Sequence, residues 1–219
     1  MLDELSVYDD REPKPAALNM AVDEAILAEA RTPVLRFYRW RRPALSFGYF
    51  GCYAEVAEQS DGRDIVRRWT GGGVVPHGDD LTYSVIIPNT HSFFLRSSLE
   101  VYAAVHEAIR RALAANNITA TLANHAAAKI SDDCFANPVR ADVLSGERKI
   151  AGAAHRRARA GLLHQGSIQR PDLADGFREN FARILCDCFE WKTLETATLE
   201  RAAHIALTKY ATTAWLTRR

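Results

Sequence analysis

The sequence predicts a mixed α+β fold, and three observations carry that expectation. Short runs of strand-type residues follow one another in pairs, as in hairpins. Stretches with apolar residues at helical spacing fall between those groups. The chain shows no regular alternation of strand and helix of the kind a βαβ array requires.

Residues Ala16 to Arg31 read as a helix, with Met20, Ala21, Ile26 and Leu27 on one apolar face and Pro33 ending it. Val34 to Trp40 alternates apolar and polar residues, and Pro43 to Phe50 resumes as a second strand through Ala44, Leu45, Phe47 and Tyr49. Ile65 to Trp69 is a strand entering a glycine turn, and Leu81 to Pro88 is the strand leaving it. Leu99 to Asn116 is a second amphipathic helix, with Val101, Val105, Ile109 and Leu113 spaced by four. Asp142 to Leu144 and Arg148 to Gly152 form a hairpin turning at Ser145-Gly146, and Gly161 to Ile168 is a further strand. Two helices close the chain, at Ala174 to Cys188 and Thr198 to Tyr210.

With 219 residues, 47% of them hydrophobic, the chain can bury a substantial core and reads as one domain over 1–219. Its 28 basic and 27 acidic residues leave a net charge of +1, so no global field favours nucleic acid or a membrane. The start, Met1-Leu2-Asp3-Glu4-Leu5, has no basic and apolar leader pattern, and no stretch has the length of a membrane span. Cys52, Cys134, Cys186 and Cys188 lack the spacing of a disulfide framework or a zinc site. Cys186-Asp187-Cys188 lies in an apolar amphipathic run and reads as structural. These features predict a cytoplasmic protein with reduced thiols, with no nucleic-acid or membrane partner and no bound metal.

The chemistry concentrates in three places. The first is Arg67-Arg68-Trp69-Thr70-Gly71-Gly72-Gly73-Val74-Val75-Pro76-His77. Three successive glycines are kept where the backbone takes φ > 0 or where something approaches it closely. The flanking arginines suggest an anionic or polar group. The alternative is a glycine-rich turn flanked by surface arginines. The second place is Cys134, in a loop between Ser131-Asp132-Asp133 and Asn137-Pro138. The third is Lys149, in a strand with Gly146 before it and Gly152, Ala153 and Ala154 after it, which leave space for a ligand. If Lys149 lies near Cys134, the cation lowers the thiol pKa and the desolvated lysine can exchange its proton, which gives an acyl-thioester nucleophile.

The order of these stretches resembles the lipoate–protein ligase and octanoyltransferase family, whose catalytic domain is similar to that of biotin–protein ligases. The matching residues are Asn19-Met20-Ala21-Val22-Asp23-Glu24-Ala25, Arg67 to His77, Leu81 to Pro88, Arg148 to Gly152, and His164-Gln165-Gly166-Ser167-Ile168, with the late Lys209-Tyr210 and Trp215. The resemblance implies a central mixed, largely antiparallel sheet packed by helices, with an apolar tunnel for a medium-length acyl chain. It implies that Arg68, Thr70, Gly71, Gly72, Gly73 and Val74 wall that tunnel, with His77, Tyr83, Gly152, His164 and Gly166 as further substrate-binding residues. It makes Cys134 and Lys149 catalytic, Lys149 contacting the acyl carbonyl or, in a ligase, the acyl-adenylate phosphate. The acceptor would be a lysine of a lipoyl carrier domain, such as the glycine cleavage H protein or a 2-oxoacid dehydrogenase E2.

Members of this family differ in how the carboxylate is activated. Ligases use ATP and Mg to make lipoyl-adenylate. Octanoyltransferases take the acyl group from acyl carrier protein onto a cysteine and need no cofactor. Cys134-Phe135, Leu81-Thr82-Tyr83-Ser84 and the lack of a C-terminal accessory domain favour the transferase. Two stretches depart from the family pattern: Ala141-Asp142-Val143, where ligases often show Asn-Asp and the transferases a Tyr-Glu pair, and Ala153-Ala154-His155 in place of a Gly-Ser-Ala-Gln type of sequence. An ATP-dependent ligase and a non-catalytic acyl-binding module remain the alternatives. Arg156, Arg157 and Arg159 read as a solvated face or a docking surface for an acidic carrier domain.

Overall fold

The computed structural model describes residues 2–126, 134–170, 172–174 and 176–218. In chain order the elements are β1 (Leu5–Lys14), α1 (Ala16–Glu29), β2 (Val34–Trp40), β3 (Ala44–Phe47), α2 (Tyr53–Ala57), β4 (Asp64–Arg67), β5 (Val75–His77) and β6 (Leu81–Pro88). There follow α3 (Ser98–Ala115), β7 (Thr121–Leu122), β8 (Val143–Ser145), β9 (Arg148–Arg157), β10 (Gly161–Ile168), α4 (Phe177–Leu185), β11 (Phe189–Lys192), α5 (Thr196–Ile205) and α6 (Thr213–Leu216).

Eight strands form one mixed sheet in the order β11-β1-β2-β6-β10-β9-β8-β7. Its centre is antiparallel, β6 lying between β2 and β10 and β10 pairing on its other edge with β9. The parallel pairs are β11 with β1 and β1 with β2. Alternation along the strands sends successive side chains to opposite faces. Leu35 and Phe37 on β2 join Val101, Val105 and Ile109 of α3 and Phe177 and Phe181 of α4 in one core layer. Val34 and Tyr38 join Met20, Ala21, Ala25 and Ile26 of α1 in the other. Helices therefore cover both faces, which is why β6 and β10 are buried along their whole length, β6 as a largely apolar run and β10 with His164, Gln165 and Ser167 among its buried residues.

Three expectations from the sequence need correction. The units β1–α1–β2 and β3–α2–β4 are both parallel crossovers, so two βαβ elements do occur. Strand β1 escaped the pattern because Asp9, Asp10, Arg11 and Glu12 make it polar, although Asp10 is half of a buried ion pair with Arg36 at 2.7 Å. The strand predicted for Pro43 to Phe50 is only Ala44–Phe47, because the chain turns at residues 48–51, where the Gly51 N–H donates to the Gly48 carbonyl at 3.0 Å. It belongs to a second, three-stranded sheet, β4-β3-β5, and forms no hairpin with β2. The first C-terminal helix is Phe177–Leu185, and β11 follows it. No helix among the described residues is long and apolar enough to cross a membrane.

Candidate active site

Lys149 stands second in β9 and is almost completely buried. A lysine can lie there because Gly152 has no side chain. A Cβ at Gly152 would come within 2.4 Å of Lys149 Cε and 2.7 Å of its Nζ. The ammonium donates to Asp142 Oδ2 at 2.8 Å and to the Cys134 carbonyl at 2.8 Å, and it lies 3.6 Å from Cys134 Sγ. The cation needed beside the thiol is therefore in place. Residues 131–133, which precede Cys134, lie outside the described residues. Cys134 itself is half-buried, and its N–H donates to the Val74 carbonyl at 3.0 Å.

That last bond ties the cysteine to the glycine turn. Gly72 has φ +87°, the left-handed conformation open to glycine at little cost. Arg68 holds the turn from beneath, donating through Nη2 to the carbonyls of Gly71 and Gly73, both at 2.9 Å, and through Nη1 to Ser46 Oγ at 2.7 Å. Burial pushes the Arg68 guanidinium down from its ordinary pKa, and the nearby Cys134 opposes that shift. Thr70 is fully buried and donates to Gln165 Oε1 at 2.8 Å, and Gln165 Nε2 donates to Asp23 Oδ2 at 2.8 Å. Arg67 has a different task. Its guanidinium donates to the carbonyls of Tyr49, Gly51, Trp215, Leu216 and Arg218 at 2.8–3.1 Å, pinning the C-terminal segment.

Two cavities meet at the cysteine. An inner cavity is lined by Met20, Tyr38, Trp40, Ser46, Arg68, Val75, His77, Thr82, Cys134, residues 152–154 and residues 165–167. An outer groove runs between Gly48, Phe50, Cys52 and Glu55 on one side and Gly72, Gly73, Val74, Cys134, Asn137 and Lys149 on the other. Cys134 and Ala153 line both. At the inner cavity, His77 stacks on Trp40 at 4.1 Å between ring centres and sits 2.6 Å from Ser46 Oγ and 2.8 Å from Asp80 Oδ2. Burial alone would raise the Asp80 carboxyl, but His77, with the Ser167 hydroxyl and the Gly78 N–H, holds it at about 2.

The structure thus divides the residues expected at the site. Cys134, Lys149, Arg68, His77, Gly152 and Gly166 gather at the cavities. Gly72, Gly73 and Val74 wall the outer groove, not the inner cavity, while Thr70 faces β10 and Gly71 lines neither cavity. Tyr83 and His164 also line neither; they lie on the α3–α4 face, 3.1 Å apart from Tyr83 Oη to His164 Nε2. The pleat explains this, since alternation that sends His164 to one face presents Gln165 and Ser167 to the cavity on the other. Reading the residues missed Asp142 and Tyr102 as members of the site. The available signal was an acidic residue opening the hairpin whose second strand carries the lysine. Cys52 also lies in a loop, exposed on the groove wall, so Cys134 is not alone there. Cys186 is buried, and burial pushes its thiol up. Among the described residues, no group of three or more His, Cys, Asp or Glu side chains is arranged to hold a metal ion.

Comparison with known proteins places the chain in a family and a fold. The family model described as lipoyl protein ligase A/B catalytic domain matches residues 15–194. An octanoyltransferase LipM from Oceanobacillus iheyensis is 37% identical over 172 residues, covering 71% of this chain and 60% of its own length. The chain spans about 60% of the length of the curated relatives it matches. Among solved structures, lipoate-protein ligase A bound with ATP superposes with a TM-score of 0.77 at 22% identity over 99% of both chains. A bipartite lipoate protein ligase from Thermoplasma acidophilum, solved with its E2 lipoyl domain, gives 0.75 at 22% identity over 98% of this chain and 96% of that one. At these identities the two structures establish the fold.

Proposed function

Because the chain belongs to the lipoyl protein ligase A/B catalytic domain family, we propose that it is an acyltransferase of protein lipoylation, moving an octanoyl group through a thioester on Cys134. In the first half-reaction the Cys134 sulfur attacks the acyl carbonyl of an acyl carrier protein thioester. The new C–S bond forms, the donor C–S bond breaks, and the donor thiolate leaves and takes a proton from water. In the second, the neutral amine of a carrier-domain lysine attacks the Cys134 thioester; an amide forms and the sulfur departs as the thiolate, while the amine nitrogen loses a proton to water. Lys149 faces the carbonyl oxygen that becomes anionic in both. The acyl chain occupies the inner cavity, and donor and acceptor reach the sulfur through the outer groove.

The observation that carries this reading is the Lys149–Cys134 pair, 3.6 Å from Nζ to Sγ, where the inner cavity meets the outer groove. Relatives named octanoyltransferase LipM at 37% identity support it. The acceptor in this reading is a lipoyl domain of an E2 subunit or a glycine cleavage H protein, the setting is the cytoplasm, and the whole reaction needs no cofactor.

The test is to incubate the pure protein with octanoyl-acyl carrier protein and no acceptor, then measure its intact mass. One octanoyl adduct is expected, removable by hydroxylamine and missing in Cys134→Ser, whereas Cys186→Ser and Cys188→Ser behave as wild type. The second reading is an ATP-dependent lipoate–protein ligase, favoured by the fold shared with lipoate-protein ligase A bound with ATP. There Lys149 would face the adenylate phosphate, with ATP and Mg as cofactors. Formation of octanoyl-adenylate by a wild-type protein that takes no adduct would decide for it.

A further inference from the structure

Lys149 raises a physical question that the acyl-transfer reading leaves open. A buried ammonium needs a counter-charge. A Cys134 thiolate supplies one before acylation, but a thioester carries no charge. The structure holds a second anion against the same nitrogen. Asp142 is fully buried, and its Oδ2 accepts from Lys149 Nζ at 2.8 Å and from the Val139 N–H at 2.6 Å. Its Oδ1 accepts from the Tyr102 hydroxyl, which in turn accepts from the Ala153 N–H at 3.1 Å.

The backbone is bent to deliver this carboxylate. Ala141 has φ +69°, a left-handed conformation that costs a non-glycine residue about 1–2 kcal/mol. It is held there from two sides: the Ala141 N–H donates to the Ala123 carbonyl at 2.7 Å, and His106 Nδ1 lies 2.7 Å from the Ala141 carbonyl. His106 and Tyr102 are neighbours on one face of α3, their rings 4.1 Å apart. Strain retained against such restraints is a mark of functional positioning. The three hydrogens of Lys149 are then accounted for: one to Asp142, one to the Cys134 carbonyl and one toward Cys134 Sγ.

We propose that Asp142, fixed by Tyr102, is a positioning residue that keeps Lys149 protonated and aimed at the sulfur through the stage when Cys134 carries no charge. The third N–H of Lys149, still on the nitrogen, then turns from the sulfur to donate a hydrogen bond to the carbonyl oxygen of the thioester. Besides Asp142 and Cys134, the titratable groups around this nitrogen among the described residues are Tyr102 and His106 from α3, Tyr83 from β6, and Arg68 on the far side of Cys134. Burial, then Asp142, raises the Tyr102 hydroxyl well above its ordinary value, so it stays a donor.

The assignment rests on the acyl-transfer reading for one measurement and is independent of it for the other. The independent one follows alkylation of Cys134 by iodoacetamide against pH, with peptide mapping to separate Cys134 from the exposed Cys52. Removing the carboxylate in Asp142→Asn leaves the thiolate as the only anion against Lys149 among the described residues, so the alkylation midpoint should fall by about one pH unit or more. Asp142→Glu should stay near wild type. The dependent measurement isolates the octanoyl-enzyme and times transfer to an acceptor lipoyl domain from pH 6 to 8. The rate of Asp142→Asn relative to wild type should fall about tenfold across that range, as Lys149 loses its proton. An unchanged alkylation midpoint in folded Asp142→Asn would overturn the assignment. A shifted midpoint in a protein that never forms the thioester would instead overturn the acyl-transfer reading alone. Should Asp142→Asn fail to fold, Tyr102→Phe keeps both ring and carboxylate and is expected to slow transfer at least threefold with an unchanged KM for the donor. Wild-type turnover in Tyr102→Phe would then sink the proposal.

Discussion

Lys149 Nζ and Cys134 Sγ stand 3.6 Å apart although they come from a loop and from the edge of β9. The lysine also donates to the cysteine's own carbonyl at 2.8 Å, so one cation fixes the backbone of the nucleophile and faces its sulfur. The site is built around that double contact, and its consequences can be measured.

Lys149→Ala is expected to cost on the order of 10²–10³ in the rate of acyl transfer, the usual effect of losing one such charge contact. Lys149→Arg should fail nearly as badly, because the planar guanidinium is larger and cannot occupy a point-charge site closed by Gly152. Turnover of octanoyl-acyl carrier protein checks both. Near-normal turnover in Lys149→Arg would show the lysine to be peripheral.

Gly152→Ala places a methyl group where Lys149 Cε now lies, and the lysine must move. A displacement of about 1 Å at a catalytic group can cost about 10²-fold. The expected phenotype is a loss of that size in kcat with a nearly unchanged thermal midpoint. Crystallography of the variant with normal activity and an unmoved lysine would refute the packing argument.

At Gly72, with φ +87°, alanine should cost about 1–2 kcal/mol in a denaturant titration. Its Cβ would also lie 3.3 Å from Arg68 Nη2 and 3.4 Å from Ala154 Cβ. Because Gly72 walls the outer groove, Gly72→Val should slow acylation by the carrier-bound donor more than it weakens binding of a small octanoyl ligand. Equal losses in both assays would return the glycine to the acyl cavity. A variant with both functions intact would reduce it to a turn.

Acid should destabilise the protein before its carboxylates titrate. Burial holds His106 at about 4, and burial with His106 and Arg157 nearby holds His155 at about 4, both against about 6.5 when unfolded. The unfolded chain binds those protons first, so stability is full above about pH 6.5 and falls as pH drops toward 4. For the fully buried His106 this amounts to roughly 3 kcal/mol. Asp80, held at about 2, works the same way in a lower window, losing its contribution as pH falls from about 4 to about 2. Urea midpoints at pH 7.5 and 5.0 measure the His window, and His106→Gln should narrow the difference between them. Identical midpoints at the two pH values would contradict the burial of these rings.

Arg67→Ala removes a guanidinium that binds five backbone carbonyls, three of them in the C-terminal segment. The loss should be on the order of 3–5 kcal/mol, with faster proteolysis near residues 215–218 than in wild type. Limited proteolysis followed by mass spectrometry reads this directly; a wild-type cleavage pattern would argue against the staple.

Most elements were legible because their residues decide locally. The helix at Leu99 to Asn116 follows from apolar residues four apart, and β6 from an apolar run that burial on both faces explains. The glycine turn and its arginines announced a backbone under constraint, and Cys134 and Lys149 stood out by residue type and neighbourhood. What the sequence could not decide was everything that depends on which face of a strand a side chain takes and which distant segment it meets. His164 and Gln165 are adjacent in the chain, yet the pleat sends one into the α3–α4 core and the other to the cavity. Arg67 and Arg68 are equally adjacent, and one staples the C-terminal segment while the other supports the glycine turn. Asp142, Tyr102 and Lys149 come from a bend, a helix and a strand, and only the packing of α3 on β8 and β9 brings them together. Local propensity is written residue by residue, whereas the charge balance of a buried site is set by long-range contacts.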